Sequence, residues 1–169
     1  MTTIAWDGCT LAADSRATEE DGSAKTDRFT KLYRIQSKVD PVCGEVLLAA
    51  AGCEFAGELF KRWLERGGEP DLVARGVVED PQEGSPLDAL VIHASGAYTA
   101  NHLGCLIKVR DKFWAHGTGR QGALVAMDMG ADAAEAVRRA RKWDANTGGR
   151  VVSMTLKGPK PARARKRGR

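Results

Sequence analysis

Two groups on one residue near the start of this 169-residue chain could do chemistry together: the hydroxyl of Thr2 and the α-amine that removal of Met1 would free. A threonine hydroxyl is a weak nucleophile until a base takes its proton. A threonine at a free amino terminus carries that base on the same residue, because an unperturbed α-amine titrates near ~7.7–8.0 and accepts a proton at neutral pH. The chemistry is attack on a carbonyl through a covalent ester. It requires removal of Met1, and Thr2 is small enough for ordinary initiator trimming. A Met-Thr start alone carries no such meaning; the weight comes from what the chain sets beside it.

The elements that must position these groups follow from pattern. Thr3–Trp6 (TIAW) reads as a short strand, Asp7-Gly8 as a hairpin turn and Thr10–Ala13 (TLAA) as the returning strand. An antiparallel return carries Asp14 back toward Thr2. Residues 18–28 read as a polar loop. Residues 29–35 alternate apolar and polar, which places Phe29, Lys31, Tyr33 and Ile35 on one face and draws Lys31 to the apolar side. A lysine there is unusual unless a charge pairs with it.

Further on, 45–51 predicts a buried strand ending at Gly52. Phe55, Leu59, Phe60, Trp63 and Leu64 then recur at helical spacing over 54–66, closed by Gly67-Gly68. A short helix over 71–78 and a loop over 79–86 follow. Residues 89–93, 98–100, 103–109 and 112–115 predict strands, with a turn at Ser95-Gly96. Gly117-Thr118-Gly119 opens a helix carrying Ala123, Leu124, Ala126 and Met127. Asp132 and Glu135 form a capping box for a helix to about Ala145, with Ala136, Val137, Ala140 and Trp143 inward. A turn over 146–149 and a strand over 151–156 complete the pattern: sheets with helices outside them, and no internal repeat.

Composition sets the limits. The length suits one domain, expected over 1–157, and no apolar run is long enough to cross a bilayer. No secretory signal is visible, and Cys9, Cys43, Cys53 and Cys105 form no C-x-x-C pair, so a reduced, cytoplasmic setting is expected. His93, His102 and His116 lack metal-ligand spacing and read as core or surface, so no metal or cofactor is expected. The net charge of +4 comes from the end of the chain. Residues 157–169 hold seven Lys or Arg and no acid, leaving nineteen basic against 22 acidic groups elsewhere. The stretch 158–169 is expected to be a disordered basic tail, either a solvated end or a contact for nucleic acid or another acidic surface.

Taken in order, these motifs resemble the peptidase subunits of proteasomes and of the bacterial two-component ATP-dependent proteases, the N-terminal-nucleophile threonine hydrolases. The resemblance rests on Thr2-Thr3-Ile4; on Leu11-Ala12-Ala13-Asp14-Ser15-Arg16-Ala17-Thr18; on Thr30-Lys31-Leu32; on Ala50-Ala51-Gly52 before a helix; on Gly117-Thr118-Gly119; and on Asp144-Ala145-Asn146-Thr147-Gly148-Gly149 before the last strand. It implies an α+β fold, a four-layer αββα sandwich of two antiparallel sheets flanked by helices. It implies Thr2 as nucleophile, Lys31 as a cation beside it balanced by Asp14, and Gly52 as the backbone N–H that holds the oxyanion. Thr118 takes a position where the family usually has serine, and Asp144 and Thr147 match an accessory acid and hydroxyl. Ala49 and Ala50 would flank a specificity pocket. A surface salt bridge for Asp14, an exposed strand lysine for Lys31, an N-cap for Thr118 and a turn role for Asp144 are the plainer alternatives.

The family further implies a threonine protease acting on peptides or unfolded proteins inside a homo-oligomeric ring, with an ATPase unfoldase as a partner. Two other functions compete: an inactive ring or scaffold subunit, and binding to nucleic acid through the tail.

Overall fold

Alternation in the first hairpin sorts its side chains between two cores. In β1 (Thr3–Trp6) and β2 (Thr10–Ala13), Ile4, Trp6, Leu11 and Ala13 face one core, while Ala5 and Ala12 face the other. The computed structural model describes residues 2–19, 21–52, 54–68, 87–100 and 105–156. Within these, the hairpin sits in the middle of a four-stranded sheet. Its neighbours are β10 (Trp114–Gly117), paired with β1, and β11 (Val152–Thr155), paired with β2. A second sheet runs in chain order through β5 (Leu32–Ser37), β6 (Gly44–Ala51), β7 (Asp88–His93), β8 (Gly96–Ala100) and β9 (Leu106–Lys108). Every pairing is antiparallel.

The two sheets face each other across Ile4, Trp6 and Leu11 from the first, and Leu47, Leu90 and Ile92 from the second. β6 is covered on both sides, with Val46 and Leu48 toward a helix and Leu47, Ala49 and Ala51 toward the other sheet. That double burial explains its unbroken apolar run. Helix α1 (Glu54–Arg66) lays Phe60, Trp63 and Leu64 on the outer face of the second sheet, and the Gly68 N–H ends it on the Trp63 carbonyl at 3.0 Å. Helices α2 (Arg120–Asp128) and α3 (Ala133–Ala140) cover the outer face of the first sheet. Their contact is built of small residues: Ala5, Ala12, Ala115, Ala123, Ala126, Ala133, Ala136 and Ala140. Methyl-sized side chains let the helix axes and the sheet come close. The layers are α, β, β, α, the four-layer α+β sandwich that the sequence predicts.

Several local expectations change. Trp6 pairs with Leu11 and the Asp7 N–H donates to the Thr10 carbonyl at 3.2 Å, so Gly8-Cys9 is the turn centre rather than Asp7-Gly8. Gly8 takes the positive φ of +97° that such a turn needs first, and Asp7 accepts the Cys9 and Thr10 N–H groups at 2.9 and 2.7 Å. The polar stretch 18–28 is not all loop: β3 (Ala17–Thr18) and β4 (Ala24–Thr26) form a small hairpin. β5 starts at Leu32, so Lys31 precedes it and is not buried by alternation. Ala94-Ser95, not Ser95-Gly96, is the centre of the β7–β8 turn.

Helix α3 stops at Ala140, and Trp143 is 89% exposed instead of facing inward. Asp132 does cap α3, accepting the Glu135 N–H at 2.7 Å. Cys9, Cys43 and Cys105 are exposed. The helix expected over 71–78, the loop over 79–86, the start of the strand over 103–109 and the basic tail lie outside the described residues. No helix among the described residues is long and apolar enough to cross a membrane.

Candidate active site

Asp14 leaves β2 opposite the start of β1, and the hairpin register dictates what it meets. Its own N–H donates to the Thr3 carbonyl at 3.2 Å, and the Thr3 N–H donates to its Oδ1 at 2.8 Å. Lys31 Nζ donates to the same Oδ1 at 2.7 Å. The other oxygen accepts the N–H groups of Gly148 and Arg16 at 3.0 and 3.2 Å. Side-chain exposure of Lys31 and Asp14 is 2% and 1%, so the pair is fully withdrawn from water. Two donors on one oxygen place Lys31 Nζ within two hydrogen-bond lengths of the Thr2–Thr3 peptide nitrogen. Burial pushes the Lys31 ammonium below its ordinary pKa, outweighing the upward pull of the Asp14 charge and hydrogen bond.

Thr2 is itself buried, and its carbonyl accepts the Thr118 N–H at 3.0 Å. The Gly-Thr-Gly pattern explains that approach. Gly117 pairs with Thr3 at φ +96°, and a Cβ there would lie 1.6 Å from the Thr2 carbonyl oxygen. A Cβ on Gly119 would lie 2.4 Å from Thr3 Oγ1. Both glycines leave room for the start of β1.

A second cluster lies behind the first. Asp144 Oδ2 accepts from the hydroxyls of Thr118 and Thr147, each at 2.6 Å, and Oδ1 accepts the Asn146 N–H at 3.1 Å. Thr147 spends its only proton on Asp144, so in its contact with Thr3 Oγ1 it is the acceptor. Thr3 Oγ1 in turn accepts the Gly119 N–H at 3.1 Å. Partial burial works against the charge on Asp144. The bonds from Thr118 and Thr147 prevail and hold its carboxyl below the usual range.

The cleft beside Thr2 has a volume of about 360 Å³ and is lined, among the described residues, by Thr2, Ala51, Gly52, His116, Gly117, Thr118 and Arg120. It opens where β6 of one sheet ends near β10 of the other. Of the residues marked in the sequence, Asp14 and Lys31 form a pair against the peptide joining Thr2 to Thr3. Gly52 and Thr118 share the cleft with Thr2, and Asp144 and Thr147 connect to it through Thr118 and Thr3. Ala49 and Ala50 do not line this cleft: Ala49 is buried between the sheets and Ala50 packs toward α1, leaving Ala51 as the β6 residue on the cleft.

Three residues were missed. Thr3 is wholly buried and ties the two clusters together. Its place next to Thr2 was the available signal. His116, read as core or surface, lines the cleft, stacks on Trp114 with ring centroids 5.7 Å apart, and places Nε2 3.2 Å from Asp88 Oδ2. Arg120 lines it too. Both flank the Gly-Thr-Gly pattern directly, which could have marked them. Among the described residues, no group of three or more His, Cys, Asp or Glu could hold a metal ion.

This four-layer αββα architecture is shared with solved proteins. Solved structures with the same fold include eukaryotic HslV from Trypanosoma brucei, at a TM-score of 0.58 and 19% identity, with 90% of this chain and 97% of that one covered. Thiobacillus denitrificans BPH matches at a TM-score of 0.63 and 20% identity, covering 92% and 96% of the two chains. The same protein in complex with epoxomicin matches at 0.63 and 19% identity, covering 92% and 97%. No protein-family model and no curated protein matches at the level of sequence. At these identities the likeness establishes the fold, and any activity must be argued from the site.

Proposed function

We propose that the protein is a threonine peptidase whose nucleophile is Thr2 after removal of Met1. The observation that carries this reading is the single Asp14 oxygen that receives both the Lys31 ammonium and the Thr3 N–H. A buried cation on the carboxylate that holds the Thr2–Thr3 amide supports negative charge developing on the Thr2 hydroxyl. The same cation favours the neutral α-amine, because a nearby positive charge disfavours a second one.

In this scheme Thr2 Oγ attacks the peptide carbonyl while its proton passes to the α-amine. The tetrahedral oxyanion is held by the Gly52 N–H and collapses as the amine of the leaving peptide takes the proton. A water then attacks the resulting ester, and its proton restores the Thr2 hydroxyl. Asp14 keeps Lys31 charged and in place. Asp144, through Thr118 and Thr147, orients the hydroxyl side of the site.

Likeness to HslV and BPH supports this chemistry on this fold. It also supports a homo-oligomeric ring whose chamber encloses the sites, peptides or unfolded proteins as substrates, and an ATPase unfoldase as partner. The test is labelling with a peptide epoxyketone followed by mass mapping. The wild type should carry one adduct on Thr2, and Thr2→Ala none. A chain that retains Met1, or an adduct on a cysteine, refutes the reading.

A further inference from the structure

We propose that Arg120 selects peptide substrates bearing a carboxylate side chain next to the bond that is cut. This rests on the peptidase reading above and names its substrate class. Most of the cleft wall offers little to grip: Ala51 contributes a methyl, and Gly52 and Gly117 contribute backbone alone. The remaining polar groups are mostly engaged. The Thr118 hydroxyl proton is committed to Asp144, and the His116 ring is held between Trp114 and Asp88.

Arg120 differs. It lines the cleft and is exposed, and its side chain forms no hydrogen bond or ion pair with another described residue. Two described carboxylates touch cleft residues, and both are taken: Asp88 lies on His116, and Asp144 accepts from Thr118, Thr147 and the Asn146 N–H. Arg120 therefore lines the cleft without an internal counter-ion among the described residues. Its guanidinium is a planar fork matched to a carboxylate. Its position in the chain runs against local preference as well, since it opens α2, where a cation adds to the positive end of the helix instead of offsetting it. A substrate anion would relieve that cost, and a lysine or arginine at the same subsite would add to it.

The experiment uses the full chain and a matched pair of fluorogenic peptides differing only by Glu or Gln beside the scissile bond, with a Lys peptide as a third. The readout is the ratio of kcat/KM values. Wild type should favour Glu over Gln by about fivefold at low salt, as expected for a half-open charge-assisted pair, with Lys poorest. The preference should shrink at high salt. Arg120→Ala should bring the Glu to Gln ratio near one, Arg120→Glu should reverse it, and Arg120→Lys should keep most of it. If Arg120→Ala does not fold, the wild-type ratio and its salt dependence decide alone. No preference in wild type, or a preference that survives Arg120→Ala, overturns the inference while leaving the peptidase intact. No cleavage of any peptide together with no adduct on Thr2 overturns the parent reading, and this one falls with it.

Discussion

Asp14→Ala and Lys31→Met should both silence the site, yet they should cost very different stability. In Asp14→Ala the fully buried ammonium of Lys31 loses its counter-ion, and three backbone N–H groups, from Thr3, Arg16 and Gly148, lose their acceptor. Breaking one side of a buried pair costs about 3–5 kcal/mol, and the orphaned N–H groups push the value to the top of that range. In Lys31→Met the carboxylate keeps all three N–H donors and a side chain of similar length fills the space. The loss then includes the charged hydrogen bond to Asp14, roughly 1.5–3 kcal/mol. Urea denaturation of both variants gives the difference, and for a chain of this size each kcal/mol moves Tm by about 2–4 °C. Epoxyketone labelling at Thr2 should be absent from both. The reasoning is refuted if Lys31→Met is destabilised as much as Asp14→Ala, or if either variant labels at the wild-type rate.

The pH response should separate activity from stability. Rate should climb as the α-amine loses its proton, below the ordinary ~7.7–8.0 because the Lys31 charge favours the neutral amine. It should fall again as Lys31 loses its own, at a pH below the ordinary lysine value of 10.5 because burial lowers that pKa. In the window between the lowered pKa and 10.5 the unfolded chain binds more protons than the folded one, so stability should rise with pH there while the rate drops; parallel loss of both contradicts the assignment. Gly117→Ala should cost more than about 2 kcal/mol in chemical denaturation, since its Cβ would lie 1.6 Å from the Thr2 carbonyl oxygen at a φ of +96°; a change within about 0.5 kcal/mol denies that contact. Thr147→Val keeps the shape but removes the group that donates to Asp144 and accepts from Thr3. It should cost about 1–3 kcal/mol and slow Thr2 labelling with the Lys31 pair untouched; unchanged labelling would assign Thr147 to folding alone.

How much was legible in the chain follows from which forces are local. The hairpin, the bounds of α1 and the Asp132 cap are written in short-range pattern, and the sequence places them to within a residue or two. The turn lies at Gly8-Cys9, one residue later, because Asp7 stands before its centre and accepts the Cys9 and Thr10 N–H groups, a side-chain role that the Asp-Gly dipeptide conceals. A lysine among the apolar residues of 29–35 calls for a paired charge, and Asp14, distant in sequence, is that charge, although β5 itself starts one residue later. Trp143 was assigned inward because periodicity continues past Ala140, whereas the helix itself stops. His116 and Arg120 flank the Gly-Thr-Gly pattern in the chain, but that they share a cleft with Thr2 follows from β10 lying beside β1, a pairing across more than a hundred residues.

What makes Thr2 credible as a reacting residue is the peptide that follows it. That one amide group is held at both ends: its carbonyl by the Thr118 N–H and its N–H by Asp14. With the plane fixed, the side chain of Thr2 has little freedom left beyond its own rotamer, and the entropic cost of aiming it is met during folding instead of in the transition state. The two clamps belong to different parts of the chain. One comes from the loop opening α2, whose hydroxyl reaches Asp144; the other comes from the end of β2, whose carboxylate holds Lys31. A change to either acid therefore reaches Thr2 through the same amide, and the two effects should be non-additive in a double variant. Independent, additive losses would mean that the clusters act separately and that the shared peptide is merely structural.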